Sequence, residues 1–576
     1  MIGKYYQREL AHLRRLALEF AAAHPALAPM LSGQSTDPDV ERLLEGTAFL
    51  SGLLYEKMDD DFPEIVHGLI QLLFPHYLRP VPSATLIRFT PKRSLSETLV
   101  IKKGAAINSV PVEGTRCTFT TCYDVALSPL SVAAVGFSTP GGGRGLLRLD
   151  LRLEGMALEA FTSDFLRFHL GGIYAEASRR YWLLFSRLRD VRIVAANGQP
   201  VSLGRKAVTP VGFGEEERLM PYPDRSFPGF RLVQEYFVLP EKFLFFDVNG
   251  LHQWRGRGGG ASFALEFEFA DLPQDLPPMA LAHFQLFVIP ALNLFAHHAD
   301  PIVLDHQKAE YPIRASGEDP RHYQIYGVNK VTGIARGSVR QRAYSPFELF
   351  NPRVTANPVY ALHHRLSSLD GHAELHLSVA YPGGAAEPEV ETLSLEILST
   401  NGALPEMLQA GDVRVATESS PELADFTNTR APTAPVQPPL GRNLLWRLLS
   451  HIFLNYLSVA AADNLRAVLK LYIFTETRDR GAVLANTQRV DAISGLDVRA
   501  SDRFVEGHLL RGQEILLRLD PQGFTGEGDM HLFGAVLDHF LGNYAAINAY
   551  TRLTVEDTTG KERFTWPMRL GDRTLL

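Results

Sequence analysis

The sequence predicts a multidomain α+β protein: an N-terminal helical region, then β-rich domains, with a C-terminal α/β portion. Three observations carry that prediction. Residues 37–74 place apolar side chains every three or four positions, the period of an amphipathic helix. From about Ser83 the chain changes to short runs of β-branched or alternating apolar residues between turn signals, as strands require. Beyond about residue 440, apolar runs with helical spacing return between strand-like stretches. The division that follows is a helical region over 1–82, a β-rich middle domain over 83–329, and a C-terminal α+β domain over 330–576 with a Pro-rich linker near 418–441.

Residues 5–23 form a first helix, with Leu10, Leu13, Leu16, Ala17 and Phe20 as its apolar stripe and His24-Pro25 as its stop. Asp37-Pro38 opens a second. The aspartate can accept from a free backbone N–H, and proline at the first helical position has no N–H to leave unpaired. Val40, Leu43, Leu44, Phe49, Leu50, Leu53, Leu54 and Met58 then line one side. Asp61 begins a third helix, with Pro63 in its first turn and Glu64 three residues on, as in a capping box. Phe62, Ile65, Val66, Leu69, Ile70, Leu72, Leu73 and Phe74 are apolar over more than one face. Pro75, Pro80 and Pro82 end that helix and start an extended segment. Two packings fit these helices: a hairpin inside one core, or a bundle shared with other chains. The first is the default for amphipathic helices, and the one observation for the second is the apolar excess over 65–74.

Strands are expected at 84–90, 99–102, 116–123, 146–153 and 165–170, with a helical interruption at 174–190. Residues 230–239 and 243–248 read as strand material, and 263–269 (FALEFEF) alternates with period two as a half-buried strand. Gly141 to Gly143 and the glycines of 256–260 mark hairpin ends or loops. Further strands are expected within 331–379 and at 392–397. The stretch 418–441 holds five prolines and few apolar residues, which reads as a linker. Residues 444–474 keep helical spacing through Leu445, Leu448, Leu449, Ile452, Phe453, Tyr456 and Leu457. Residues 482–519 return to strands and 530–548 to a helix. No repeat of fixed period is visible, which argues against a solenoid or propeller.

At 576 residues with 45% hydrophobic and 21% charged positions, the chain has the make-up of a globular protein with large cores. The net charge of −7 argues against nucleic acid as the main partner, since phosphate binding needs a basic surface. Two cysteines, Cys117 and Cys122, make no disulfide framework and fit buried free thiols. The N-terminus is charged and helical rather than a signal peptide. The most apolar later segments, 281–296 and 444–462, are interrupted by proline, asparagine, arginine or histidine. Neither offers the ~20 clean apolar residues of a membrane span. The expectation is a soluble, cytoplasmic protein with no direct membrane insertion.

A search for chemistry finds no positive case. Asp59, Asp60 and Asp61 are consecutive at a helix junction, where a helix splays neighbours by about 100° and no oxygen cage forms. His297-His298 with Asp300, His363-His364, and the pair His372/His376 lack the three or four convergent ligands of a zinc site. No GxSxG, P-loop or glycine-rich turn opening a helix is present. Arg187, Arg189 and Arg192, and Arg336, Arg340 and Arg342, read as solvated faces or as contacts to acidic partners. No enzyme, cofactor or metal is expected. A different class stays open: a carbohydrate-active or carbohydrate-binding β-domain, motivated by Phe243, Phe245, Phe246 and Trp254.

The sequence blocks also carry a likeness. ERLLEG, AFL, DDDFPE and PHYLRP within 37–83 are preceded by YYQREL and EFAAAHP. They are followed by LPEKFLFFDVNGL, PALNLF, TNG with LPE, PPLGRNLLWRLLSHIFLNYLSV, FGAVLDHFLGNYAAINAYTRL and WPMRLG. Taken in order, these blocks resemble the TssF-type baseplate subunit of bacterial type VI secretion systems over essentially the whole length. The resemblance implies a structural role in a baseplate wedge. Its implied partners are a second copy of the subunit, a TssG-type subunit, a TssK-type adaptor toward the membrane complex, a TssE-type sheath initiator and the spike hub. On that reading the N-terminal helices are the shared bundle, with Leu50, Leu54, Met58, Ile65, Leu69 and Leu73 as the nominated interface.

Overall fold

Helix leads and strand dominates in the structure, a computed structural model, with 28% of one and 40% of the other. The class is the mixed α+β one expected. The structure describes residues 2–571 except 25–37, 60–62, 196–198, 224–225, 256, 258–259, 318, 336–340, 348–357, 368–372, 382–389, 441–446, 448, 450–460, 476, 506 and 546–548. The chain falls into two compact units, Met1–Phe74 with Pro439–Leu449, and Pro75–Pro438 with Ser450–Leu576.

The first unit holds α1 (Ile2–Ala23), α2 (Pro38–Asp59) and α3 (Pro63–Leu73). The helix-opening residues Asp37 and Asp61 lie outside the described residues. Helix α1 closes through His24 N–H donating to Phe20 O at 2.9 Å.

The second unit is built on sheets. One has six strands in the order Val413–Val415, Ala106–Val112, Thr115–Thr121, Val288–Leu292, Ala84–Pro91 and Ala424–Asn428. Residues from both sides of position 329 therefore share a sheet. The stretch expected as a Pro-rich linker supplies its edge strand, with Arg88 opposite Thr427. Asn428 explains how a proline-rich segment is held there. Its Oδ1 accepts from Gly411 N–H and Val413 N–H, both at 2.9 Å, and its Nδ2 donates to Gln409 O and Arg430 O. One buried side-chain amide thus satisfies four backbone groups of irregular chain.

A second sheet runs Val201–Ser202, Leu188–Ala195, Ser262–Phe269, Arg144–Leu153, Leu130–Gly141. Leu147, Leu149 and Leu151 face Phe267, Leu265 and Phe263 across one ladder, and all are buried. That is the period-two burial read from FALEFEF. Gly141, Gly142 and Gly143 turn its hairpin with φ of 102°, 66° and 70°. A four-stranded sheet orders Val208–Val211, Phe245–Asn249, Phe165–Leu170 and Phe284–Leu286. A larger sheet centres on Glu391–Thr400 and Gln324–Ala335, where Val331, Leu393, Leu395 and Ile397 form a core with Leu377. The last sheet runs Ile493–Val505, His508–Leu519, Ala549–Asp557, Arg563–Thr565.

Helices of the second unit are α4 (Tyr174–Ser186), α5 (Pro228–Val238), α6 (Ala462–Leu471), α7 (Arg480–Asp491) and α8 (Glu527–Gly542). Two of them correct the sequence reading. Of residues 230–239, expected as strand, 230–238 belong to α5. The segment is buried on every side from Gly229 to Phe237, so no polar face remains to reveal the helical period. Residues 482–491, also expected as strand, belong to α7, whose start is capped by Asp479 accepting from Ala482 N–H at 2.9 Å. The expected helix over 444–474 is described mainly in its last part, as α6; residues 450–460 lie outside the described residues.

Candidate interaction surface

In the helical unit, small residues face inward. Ala48 and Ala21 are buried, and Gly52 lies against the backbone of α1 at Tyr5 and Tyr6. A Cβ on Gly52 would stand 3.1 Å from Tyr6 N. Arg14 pairs with Glu41 farther along, so the two helices run antiparallel. Alanine and glycine let the two helices approach closely here, with Leu10, Leu13 and Leu44 half-buried.

The large apolar residues instead open outward. On α2, Leu43, Leu50 and Leu54 are 71%, 64% and 65% exposed. Their spacing of seven and four puts them on one face. Phe49 is open beside them, and Leu16, Leu18 and Phe20 are open on α1. On α3, Val66 and Ile70 are buried while Leu69 and Leu73 are exposed. Of the six nominated residues, Leu50, Leu54, Leu69 and Leu73 are therefore solvent-facing. The side chains of Met58 and Ile65 lie outside the described residues. Sequence reasoning placed Leu43 in the helical stripe without nominating it, and its spacing to Leu50 was the available signal.

The second unit carries buried charges that would attract attention in an enzyme. Glu235 on α5 receives Leu219 N–H at 2.7 Å on Oε1, and Lys242 and Arg231 reach its Oε2. Lys242 also donates to Gly212 O at 2.8 Å, and Arg231 to Phe213 O and Gly214 O. Burial pushes the Lys242 ammonium below its usual range, with Glu235 opposing the shift. This knot ties residues 212–220 to α5. Asp529, in the first turn of α8, accepts from Tyr174 OH at 2.7 Å, Arg489 Nε at 3.0 Å and Thr525 N–H at 3.1 Å. Asn486 donates to Phe237 O at 3.0 Å. Together these contacts fasten α4, α5, α7 and α8. Both carboxylates have their oxygens engaged by structural donors, so neither is presented as a base.

Asp247 and Glu217 form one carboxylate pair among the described residues. Both are held by Arg167, whose Nη2 lies 2.8 Å from Asp247 Oδ2 and 3.2 Å from Glu217 Oε1. The aromatic residues that motivated a carbohydrate site are core: Phe243, Phe245 and Phe246 are fully buried and Trp254 nearly so. Their rings pack on neighbours such as Phe168, Phe213 and Phe263 and offer no platform to a sugar.

Among the described residues no three His, Cys, Asp or Glu side chains gather in a metal-holding cluster. His297 bonds Ser316 O and stacks on Tyr323. His363 bonds Ser378, and His376 contacts Glu374; His372 lies outside the described residues. Arg187 sits over Trp182, Arg192 pairs with Glu268, and Arg342 pairs with Glu391. These arginines are committed within the chain; Arg336 and Arg340 lie outside the described residues. Cys117 and Cys122 are free and buried, and burial pushes their thiols up to about 11 and about 12. No helix among the described residues is long and apolar enough to cross a membrane.

Comparison with known proteins matches this architecture. The family profile described as type VI secretion system, TssF, covers residues 1–573. The type VI secretion system component TssF1 of Pseudomonas aeruginosa is 29% identical over 620 residues, spanning 99% of this chain and 98% of that protein. A chain in the cryo-electron microscopy structure of the type VI TssK–TssF–TssG baseplate subcomplex superposes with a TM-score of 0.76 at 30% identity, covering 92% of this chain and 99% of that one. A chain of the type VI baseplate complex gives a TM-score of 0.62 at 28% identity, with full coverage of both. The ordered motifs, the mixed fold that follows the N-terminal helices in the chain and the whole-length match agree, and the chain belongs to the TssF family of the type VI secretion system.

Proposed function

We propose that this chain is a non-enzymatic scaffold of a type VI baseplate wedge. It assembles there with a second copy of itself and a TssG-type subunit, carries a TssK-type adaptor, and meets a TssE-type sheath initiator and the spike hub. Its work is assembly and triggering: the wedge nucleates the contractile tail, and its change of shape releases sheath contraction. The place of action is the cytoplasmic face of the inner-membrane complex. Residues 1–82 serve as the shared helical bundle, and the sheet-built remainder of the chain, whose sheets run across position 329, acts as a rigid spacer.

The observation that carries this reading is the inside-out helical unit, in which Ala48 and Gly52 fill the seam while Leu43, Leu50 and Leu54 face solvent. A leucine gains about 1.5–3 kcal/mol on full burial, so a stripe of three is a strong bid for a partner. The solved TssK–TssF–TssG subcomplex, which holds a relative of this chain, supports the choice of partners. The test is the mass of the complex recovered on co-expression with the TssG-type subunit. A stable species with two copies of this chain per partner is expected; a monomer that ignores the partner would overturn the reading.

A further inference from the structure

The strand Ile493–Val505 is an edge of its sheet, paired on one side to His508–Leu519. Its base is covered, since Arg466 of α6 donates to Ile493 O at 2.8 Å, and its register is irregular between Ile493 and Gly495. From Leu496 to Phe504 the outer side carries no strand among the described residues. An edge of this length presents alternate backbone N–H and C=O groups ready for another strand. The hairpin also reaches past its inner neighbour: the parallel pairing to Ala549–Asp557 begins only at Arg511. At the projecting end Phe504 is 79% exposed and its cross-strand neighbour Leu509 is 52% exposed.

We propose that this edge pairs with the same edge of a second copy of the chain, antiparallel about a two-fold axis at Ala500. The argument is self-complementarity. A two-fold axis normal to a sheet keeps every side chain on its own face, so it must pass through a residue. At Ala500 it sets Asp497 opposite Arg503 and Leu496 opposite Phe504, each twice, against one unfavourable pairing, Val498 opposite Asp502. Opposite charges and apolar pairs directly across a ladder are stabilising, and like charges destabilising. An axis at Ser501 would face Arg499 with Arg503, and one at Asp502 would face that carboxylate with itself. An axis at Arg499 would set Leu496 against Asp502 and Asp497 against Ser501, with no opposite-charge pair and no partner for Phe504. An axis at Val498 pairs Asp497 with Arg499, but the free strands then overlap only over 496–500 and Phe504 stays uncovered. Asp497 already contacts Arg518, and Arg503 already contacts Glu514. The pairing would extend these two ion pairs into a continuous band on one face. On the other face Phe504 would cover Leu496 and border Val498, both half-buried. The contact is made by the second unit and does not rest on the helical-bundle reading.

The register makes the test site-specific. Residues paired at the axis lie with Cα atoms roughly 5.5 Å apart, within the ~4.4–6.8 Å that a disulfide spans. The native thiols are buried and stay silent. The full chain carrying Ala500→Cys, under mild oxidation, is expected to form a covalent dimer at least roughly tenfold more than Gln513→Cys, one strand inboard on the same face. Adding Phe504→Asp to Ala500→Cys should lower the yield by roughly tenfold, since it sets a carboxylate on Leu496. Trapping no greater than in the Gln513→Cys control, or greater at Val498→Cys than at Ala500→Cys, would overturn the proposal. A dimer trapped equally with and without Phe504→Asp would overturn it as well.

Discussion

Lys242 shows how a single residue can be read as chemistry or as structure. It is fully buried, and its three donors face Glu235, Gly212 O and the ring of Phe243. A buried lysine beside a carboxylate is a candidate base in an active site. Here the carboxylate is also held by Leu219 N–H and Arg231, so the group is a clasp. Removing one partner of a buried pair strands the other, at a cost of about 3–5 kcal/mol. Lys242→Met should therefore lower the urea midpoint strongly, and Lys242→Met with Glu235→Gln should recover part of the loss. A single variant as stable as the parent would mean that the lysine is uncharged in the fold. His531 gives a second residue-scale prediction. It lies among Trp566, Phe564 and Tyr181, and its Nδ1 has no hydrogen-bond partner among the described residues. Burial pushes its pKa from 6.5 down to about 3. The folded-state value is depressed, so its contribution is fully present above pH 6.5 and is lost as pH falls toward about 3. The slope is about 1.4 kcal/mol per pH unit for one proton. His531→Phe should flatten the stability profile between pH 6 and 4 by roughly that slope, measured by urea titration at stepped pH.

At the scale of elements, α8 and α4 are in backbone contact through Gly528. A Cβ there would stand 2.3 Å from Arg179 N and Ser178 C. Gly→Ala inside a helix normally gains about 1 kcal/mol. In this seam the alanine must push two backbones apart, and overpacking costs about 1–3 kcal/mol. Gly528→Ala is therefore expected to lower the melting temperature, against the propensity trend; a rise would show that α8 and α4 are farther apart than this. Which elements could be read from sequence follows a physical rule. Strands with one wet face, such as Ser262–Phe269, announce themselves by alternation. So do helices with a polar side, such as α1 and α2. Helix α5 could not announce itself, because Gly229 to Phe237 are all enclosed. The edge strand Ala424–Asn428 was hidden among prolines, and Asn428, which holds the loops around it, looks like any turn residue. The open leucines were legible as a stripe. Which of them face solvent was not, since that depends on Ala48 and Gly52 taking the inner seam.

For the whole molecule, the division of labour between the two units decides what an interface mutation should do. The helical unit is assembled from both ends of a long separation, Met1–Phe74 with Pro439–Leu449, while the remaining chain builds the sheets and their helices. Large sheet cores such as that around Leu377, Leu393 and Leu395 do not depend on Leu50 or Leu54, which are 64% and 65% exposed on the helical unit. A substitution at these leucines should therefore separate assembly from folding. Burying both leucines against a partner is worth about 3–6 kcal/mol, and replacing them by carboxylates adds a desolvation cost on top. Leu50→Glu with Leu54→Glu is expected to leave the melting temperature of the isolated chain within a degree or two, as surface changes do. Its binding to the TssG-type subunit should weaken by at least roughly a hundredfold. The pair of measurements is co-purification yield and differential scanning fluorimetry. Binding that survives at parental strength would move the shared interface off this face of α2. A collapse in melting temperature would show instead that the leucines are core residues of the chain itself, and that the unit is not inside-out.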